Sequence, residues 1–248
     1  MAGWPTELVL TMATLFNRVK SAGLDRLGFH VTVESVTEPT PGFMLITLVG
    51  AELKSKGWRP GDRVSVRTPD DNLRSYTPFD WDADAGRARL LVAGRANGPG
   101  TRFVGSLGIG DDVQLLGPKK SVNLDFALAP IIVGDETVLG LCAAWKFANP
   151  DRPATVLLEA TDIGACHVAA HSVGVTIERA TRDGAALAAA TVEVLRNKTA
   201  SPLILAGRAQ SIATVRRTLK NVGLSVRPDC RDKTVVKAYW DENRTGLE

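Results

Sequence analysis

Cysteine is scarce in this sequence, and the positions of the few cysteines exclude two classes of site. The 248 residues include three cysteines, Cys142, Cys166 and Cys230, which are far apart and form no Cys-x-x-Cys pair. This spacing indicates neither a zinc site nor a disulfide framework. An odd number of separated thiols favours a reducing compartment.

Histidine is equally rare, with three residues in the whole chain. His167 and His171 are four residues apart and could share one helix face and a metal ion. Because Val173 and Val175 follow closely, the pattern instead predicts an exposed polar loop that leads into a strand over residues 173–177.

The sequence also lacks a strong net charge and any long apolar run. The net charge of +3 gives no reason to expect nucleic acid, although it would help to attract an anionic substrate. No run of about 20 apolar residues is present, so no membrane span is predicted. The first residues, with Glu7 early, lack a secretory signal pattern, and we expect a cytoplasmic protein.

The start of the chain has the spacing of a helix. Leu8, Met12, Leu15 and Val19 are apolar at helical intervals over residues 6–22. We predict that residues 1–28 form an N-terminal helical segment that docks against the following domain. A helix lying on a membrane surface is the alternative, although its basic face is thin.

Between residues 29 and 122 the pattern predicts short strands separated by turns. Val31 and Val33 alternate with polar residues, which is the period of a half-buried strand. Six such runs are recognisable, at residues 31–36, 44–49, 63–66, 74–77, 88–93 and 113–116. Their number and spacing predict a six-stranded antiparallel β-barrel.

From residue 123 to residue 248 apolar runs alternate with helical patterns. Predicted strands lie at 131–133, 156–159, 173–177 and 203–206, and predicted helices at 138–147, 185–196 and 210–222. This alternation predicts an α/β domain with a parallel sheet, so the expected fold class is a β-barrel followed by an α/β domain.

The segment Arg74-Ser75-Tyr76-Thr77 is the first candidate for a binding site. Side chains alternate across a strand, so Arg74 and Tyr76 share one face. The arginine could hold a phosphate, the tyrosine could lie against a flat ring, and Thr77 could hydrogen-bond the edge of that ring. This set suits a flavin nucleotide, and an ordinary half-buried strand is the alternative.

The glycine-rich segment from Gly94 to Thr101 is the second candidate. Glycines let a backbone approach a ligand, and the amides at the start of a helix, predicted over residues 101–107, point at anions. Arg95 could add charge. The segment therefore suits a pyrophosphate, and a structural loop without a ligand is the alternative.

The third candidate, Gly134-Asp135-Glu136-Thr137, follows a predicted buried strand. Ligands of open α/β sheets bind at the carboxyl ends of strands, and Ala206-Gly207-Arg208 is a matching strand end. The alternative is a simple capping turn in which Thr137 caps the next helix.

The order of these motifs resembles that of ferredoxin-reductase-like flavoenzymes. In detail the sequence resembles the siderophore-interacting proteins, also named ferric-siderophore reductases, over about residues 29–240. The segments that carry the resemblance are Arg74–Thr77, Gly98-Pro99-Gly100-Thr101-Arg102-Phe103, Ile109-Gly110-Asp111, Gly117-Pro118, Gly134–Thr137, Ala206-Gly207-Arg208 and Ala238-Tyr239-Trp240.

Three positions depart from the pattern of that family. Phe79 stands where an arginine is usual, Gly94 where a histidine is usual, and Arg208 where a glutamate is usual. The first two changes could weaken contacts to flavin phosphates, and the third changes a charge on the nicotinamide or substrate side.

The resemblance implies an FAD-dependent enzyme that passes electrons from NAD(P)H to ferric iron in a siderophore. The implied cofactor-binding residues are Arg74, Ser75, Tyr76, Thr77, Val92, Gly94, Arg95, Gly98, Pro99, Gly100, Thr101, Asp135, Glu136 and Thr137. Lys119, Lys233 and Lys237 are expected to attract the siderophore, and no acid/base residue is expected because electron transfer to a chelate needs none. A flavin- or siderophore-binding protein without turnover, a generic flavin reductase and an electron-transfer protein are the alternatives.

Overall fold

A computed structural model of the chain describes residues 22–94, 99–198, 200–224 and 234–241. A first helix, α1, is described over residues 22–27. The helix predicted over residues 6–22 therefore lies almost entirely outside the described residues. Within the described residues no helix is long and apolar enough to cross a membrane.

The first half of the chain forms one antiparallel sheet. Its seven strands are β1 (Phe29–Thr40), β2 (Phe43–Val49), β3 (Arg63–Arg67), β4 (Leu73–Tyr76), β5 (Asp80–Asp82), β6 (Arg87–Ala93) and β7 (Asp112–Lys119), in the spatial order β4-β3-β7-β1-β2-β6-β5. A 3₁₀ turn, Ala51–Ser55, and a short helix, α2 (Pro99–Gly105), interrupt the strands.

The six predicted strands are all present, and the sequence analysis missed the seventh, β5. It has three residues, which is too short to show a period of two. In β1 the alternation that predicted the strand is visible in the burial: Phe29, Val31 and Val33 are buried while His30 and Thr32 are exposed. The buried side chains fill the interior of this sheet.

The second half forms a parallel sheet with helical crossovers. Its five strands are β8 (Ile131–Asp135), β9 (Thr155–Glu159), β10 (Arg179–Thr181), β11 (Leu203–Arg208) and β12 (Thr234–Trp240), in the order β10-β9-β8-β11-β12. The helices are α3 (Leu139–Ala148), α4 (Ile163–Ser172), α5 (Gly184–Asn197) and α6 (Ala209–Asn221), and Glu136–Val138 is a 3₁₀ turn. The predicted fold class, an antiparallel sheet followed by a parallel α/β sheet, is thus confirmed.

The prediction of a strand over residues 173–177 is wrong. These residues follow the end of α4, and the next strand, β10, begins only at Arg179. Asp162 accepts a hydrogen bond from the Ala165 amide (3.0 Å) at the start of this helix. At its end Gly174 has φ +70°, and the amides of Gly174 and Val175 donate to the carbonyls of His171 and Ala170. These two bonds form a Schellman motif, which ends the helix.

The two histidines near this segment were also wrongly predicted to lie in a loop. His167 and His171 are one turn apart on α4, and both are exposed. Among the described residues no group of three or more histidine, cysteine, aspartate or glutamate side chains could hold a metal ion.

Helix α3 joins the two sheets through a continuous apolar core. Residues from Leu139 to Trp145 are all buried, so no face of that part of the helix is exposed to solvent. The apolar core around α3 includes Ile132 and Ile204 of the parallel sheet together with Phe43, Phe79 and Leu91 of the antiparallel sheet. A helix that is apolar all round is expected where it lies between two layers.

Candidate functional site

The antiparallel sheet closes on itself beside the first predicted motif. Its two edge strands, β4 and β5, are joined by residues 77–79 alone, so Tyr76 and Asp80 lie within about 15 Å. A flat sheet of this size would separate its edges by about 29 Å. The sheet therefore curls into a barrel with a seam between its edges, formed by residues 77–79 and the adjoining edge of β6.

The residues of the first motif divide between the two faces of β4. Arg74 and Tyr76 pair with Val66 and Val64, and therefore share one face. Both side chains are partly buried, and Arg74 Nη1 donates to the Leu73 carbonyl at 2.7 Å.

Ser75 points to the other face of this strand. Its hydroxyl accepts a hydrogen bond from Arg63 Nη1 at 2.6 Å and lies 3.2 Å from the Ser65 hydroxyl. Ser75 therefore stabilises the pairing of β3 with β4, and the structure does not bring its side chain together with those of Arg74 and Tyr76.

The second motif lies only partly within the described residues. Arg95 and Gly98 are outside them, as are the side chains of residues 99–101. The helix predicted over residues 101–107 is α2, which begins at Pro99 and ends at Gly105. It packs against β6 through the buried side chain of Val104.

Two further residues assigned to the cofactor lie just before this segment. Val92 is 3% exposed and belongs to the barrel core, so only its main chain could contact a ligand. The Gly94 amide donates to the Gly42 carbonyl at 2.6 Å, which fixes the end of β6 against β2.

A glycine in α3 brings the helix into direct contact with the seam. A Cβ atom at Gly140 would lie 2.9 Å from the Thr77 carbonyl oxygen and 3.6 Å from that of Leu91. Real Cβ atoms do not approach an oxygen as closely as 2.9 Å, so only glycine permits this distance between helix and barrel. Thr77 of the first motif consequently lies beside the first turn of α3.

The third motif lies at the crevice where the order of the parallel strands reverses. The strands β9 and β10 lie on one side of β8, and the next strands in the chain, β11 and β12, lie on its other side. A Cβ atom at Gly134 would lie 2.2 Å from the Ala206 carbonyl oxygen, so the ends of β8 and β11 are in close contact. Such a switch point is the usual ligand-binding position of an open α/β sheet.

Asp135 does not line this crevice as the sequence suggested, because its side chain is buried. It is 3% exposed and accepts hydrogen bonds from Thr137 Oγ1 (2.5 Å) and Trp240 Nε1 (2.6 Å). Thr137 makes no side-chain capping bond to α3, so the capping interpretation is wrong. Glu136 and Thr137 remain partly exposed.

The last strand contributes residues to which the sequence analysis gave no role. Tyr239 has a buried hydroxyl close to that of Thr77. Burial raises the pKa of Tyr239 well above its ordinary value, and the Thr77 hydroxyl opposes this by a smaller amount. Trp240 is partly exposed at the same sheet edge. The Tyr239-Trp240 pair was the signal in the sequence, but without the sheet order nothing showed that it reaches Thr77.

Arg208, one of the departures from the family pattern, is held by an ion pair. Its Nη1 lies 2.9 Å from Glu159 Oε1, and the Ser211 hydroxyl donates to the other oxygen of Glu159. The guanidinium also lies over the Trp240 ring, 5.7 Å from its centre. Arg208 thus connects the carboxyl ends of β9, β11 and β12.

Two of the three lysines expected to attract the substrate lie in different sheets. Lys119 is exposed at the end of β7, where it pairs with Arg63 of β3. Lys237 is on the edge strand β12, opposite Ala206. Lys233 lies outside the described residues.

Comparison with known proteins finds a family model that matches part of the first half of the chain. Residues 44–124 match the family model of the oxidoreductase FAD-binding domain. An uncharacterized FAD-binding protein of Schizosaccharomyces pombe is 28% identical over 121 residues, which are 48% of this chain. The match spans 45% of that relative, so less than half of its length is represented here.

Solved structures share the fold of most of the chain. A siderophore utilization protein from T. fusca is 24% identical, with a TM-score of 0.66 over 89% of this chain and 95% of that one. A ferredoxin reductase in carbazole 1,9a-dioxygenase is 16% identical, with a TM-score of 0.65 over 85% of this chain and 68% of that one. The chain therefore has the ferredoxin-reductase-like fold, and its residues 44–124 match an oxidoreductase FAD-binding domain.

Proposed function

We propose that the chain is an FAD-dependent reductase that takes electrons from NAD(P)H and reduces ferric iron in a siderophore, which releases the iron as ferrous ion. The observation that carries this proposal is the close approach of Gly140 to Thr77. It joins the strand that holds Arg74 and Tyr76 to the crevice at Gly134. A reductase needs such a junction, because donor and cofactor must meet there.

The residues beside the seam fit an FAD molecule. Arg74 offers a guanidinium for phosphate, Tyr76 a partly exposed ring for the flavin face, and Thr77 a hydroxyl for a polar ring edge. When bound, FAD would supply hydride acceptance and one-electron transfer. The protein residues would bind and orient this group, and the buried residues of α3 would keep water from that side of the seam.

The nicotinamide nucleotide is assigned to the crevice between β8 and β11. Glu136 and Thr137 are the partly exposed residues of the third motif there, and the Tyr239 hydroxyl lies close to that of Thr77. This position follows the general rule for open α/β sheets.

The siderophore as acceptor is the most specific part of the proposal. It is supported by the shared fold with a siderophore utilization protein and by the net charge of +3, since ferric siderophores are often anionic. Lys119, Lys233 and Lys237 are proposed to attract the complex.

The same proposal divides the chain into three parts. Residues 1–28 precede the FAD-binding part, 29–122, and the nicotinamide-binding-like part, 123–248, follows it. The division is supported by the interval between β7, which ends at Lys119, and β8, which begins at Ile131. We propose a cytoplasmic location, which the buried thiols of Cys142 and Cys166 would suit.

The second candidate function is a flavin- or siderophore-binding protein without turnover. It is favoured by the burial of Phe79, which is 1% exposed, and by the ion pair that occupies Arg208. Neither side chain is then available to a ligand in the way that the family pattern implies. A generic flavin reductase or an electron-transfer protein would share the cofactor but not the acceptor.

One anaerobic experiment separates these functions. Protein loaded with FAD is mixed with NADH or NADPH, and the loss of the oxidised flavin spectrum is recorded. A ferric siderophore is then added with a chelator specific for ferrous iron. Because a hydride carries two electrons, we expect two ferrous ions for each nicotinamide consumed.

The outcomes distinguish the candidates. Flavin reduction without ferrous iron would indicate a generic flavin reductase. If neither nucleotide reduces the flavin but protein reduced by dithionite still forms ferrous iron, the donor is not a nicotinamide. If neither nucleotide reduces the flavin and protein reduced by dithionite also forms no ferrous iron, the reductase proposal is wrong and a binding protein without turnover remains.

A further inference from the structure

Asp135 is a buried carboxylate with both oxygens engaged. One oxygen accepts from the Thr137 hydroxyl and the other from the Trp240 indole. A buried carboxylate is costly unless it is hydrogen-bonded, so such a group requires a reason to be retained.

The neighbouring strand leaves room for this carboxylate. Gly207 of β11 has φ +100°, and a Cβ atom there would lie 2.2 Å from Asp135 Oδ1. Only glycine allows both this backbone conformation and this contact. The Asp135 side chain therefore fits at the carboxyl ends of β8 and β11 only because residue 207 is a glycine.

The hydrogen bond to Trp240 connects segments that are 105 positions apart in the chain. Asp135 ends β8, and Trp240 ends the edge strand β12. The residue before it, Tyr239, carries the hydroxyl that lies close to Thr77 at the seam. Fixing the Trp240 indole consequently fixes the end of β12 against the barrel.

We propose that Asp135 is a positioning residue that acts through Trp240 to hold the end of β12 at the crevice where the nicotinamide approaches. The inference rests on the proposed function for the identity of the ligand. The ionised carboxylate makes charge-assisted bonds, which are roughly twice as strong as neutral ones. Protonation of Asp135 would therefore loosen Trp240 without removing any residue.

The charged groups around Asp135 belong to three elements. Burial raises the pKa of Asp135 to about 6, the bonds from Thr137 and Trp240 oppose this, and the adjacent Glu136 adds to it. On β12 the phenol of Tyr239 interacts electrostatically with Asp135.

Around Trp240 the charges are those of Arg208, Glu159 and Asp241. Arg208 lies over the indole and is paired with Glu159, while Asp241 accepts from Gln210 at 2.9 Å. Among the titratable groups named here, Asp135 is the one with a pKa shifted to about 6.

The test compares Asp135→Asn, Trp240→Phe and the double variant with the parent protein. Asparagine imitates the protonated acid, and phenylalanine keeps a ring but removes the indole N–H. Trp58→Phe is the matched control, because its indole donates to a barrel carbonyl, Asp62 O, at 3.4 Å. NADH is the substrate, since the 2′-phosphate of NADPH itself titrates near pH 6.

Two readouts are needed, and the first does not depend on turnover. The indole resonance of Trp240, assigned by its loss in Trp240→Phe, should shift with a midpoint near pH 6 and be insensitive to pH in Asp135→Asn. The second is KM for NADH from pH 5.5 to 8. In the parent it should rise about fivefold as pH falls, and in Asp135→Asn it should be high throughout, with kcat nearly unchanged.

The double variant decides whether Asp135 acts through Trp240. Its KM should equal that of Trp240→Phe alone, while Trp58→Phe should behave like the parent. An indole resonance that is unchanged by pH and by Asp135→Asn, or independent effects of the two substitutions on KM, would overturn the proposal. If the parent oxidises no NADH, the proposed function fails, and the resonance still decides whether Asp135 holds Trp240.

Discussion

The substitution Gly140→Ala tests whether the contact between α3 and the barrel seam is as close as the structure shows. The new Cβ atom would lie 2.9 Å from the Thr77 carbonyl oxygen, so helix or barrel must shift by several tenths of an ångström. Overpacking of this kind costs about 1–3 kcal/mol. Alanine also gains up to about 1 kcal/mol over glycine in a helix, which hides part of the cost.

A second helical glycine allows this gain to be subtracted. At Gly164 of α4 a Cβ atom would make an ordinary contact, 3.5 Å from Asp162 Oδ1. Gly164→Ala should therefore be neutral or slightly stabilising, and we expect Gly140→Ala to be less stable than this control by about 1–3 kcal/mol.

Urea unfolding of the FAD-loaded proteins measures this difference, and a titration of the apoproteins with FAD shows whether the shift reaches the cofactor. We expect Gly140→Ala, and not Gly164→Ala, to bind FAD more weakly. Equal stability and equal FAD affinity of the two variants would refute the close contact on which the proposed function depends.

Three further predictions concern the flavin, the acceptor and pH. Tyr76→Ala should weaken FAD binding by about 1–2 kcal/mol while Tyr76→Phe stays near the parent; equal affinity for Tyr76→Ala in a fluorescence titration would mean that the strand is only structural. Replacing Lys119, Lys233 and Lys237 together by alanine should lower kcat/KM for the ferric siderophore at low salt and remove its decrease with ionic strength, and a parent rate that is independent of salt would contradict a role for these charges. The pKa of Asp135 is raised from 3.8 to about 6, so the folded state holds this proton more tightly than the unfolded state. The free energy of unfolding, compared with that of Asp135→Asn, should therefore fall as pH rises from about 4 to 6, by at most about 3 kcal/mol. Unfolding free energies of both proteins over this range check the last prediction, which parallel profiles would contradict.

The fold could be predicted from the sequence wherever local patterns were strong. The alternation of β1 and the continuous apolar run of β8 both correspond to strands that bury their apolar residues in the predicted way. The prediction was wrong at residues 173–177, where valines suggested a strand. The capping residues Asp162 and Gly174 were visible in the sequence and would have indicated a helix between them.

The candidate site was harder to predict because it depends on contacts between distant segments. Nothing local to Tyr239 indicates that its hydroxyl lies near Thr77, since this follows from the position of β12 at the sheet edge. Asp135 was assigned to the crevice surface because strand ends bind ligands, but Trp240 and Gly207 enclose it. The burial of Asp135 depends on two residues that are distant in the sequence, so no local pattern could show it.

The departures from the family pattern have a different meaning once their surroundings are known. Phe79 replaces an expected arginine, but the guanidinium of Arg89, bound to Asp80 at 2.8 Å, lies 5.0 Å from the Phe79 ring. A guanidinium is therefore still present at the seam, where it comes from the neighbouring strand β6 and is paired with Asp80. Phe79 itself contacts Phe147 of α3, with ring centres 5.4 Å apart, and so stabilises the contact between barrel and helix.

Arg208 shows the converse case, in which a charge is added and then neutralised. Its ion pair with Glu159 at 2.9 Å leaves little net charge at the carboxyl edge, while its contact with Trp240 supports the end of β12. In both surroundings the arginine is paired with the carboxylate of another residue. The departures at Phe79 and Arg208 therefore give only weak support to a binding protein without turnover, because a guanidinium remains at the seam and the charge of Arg208 is neutralised.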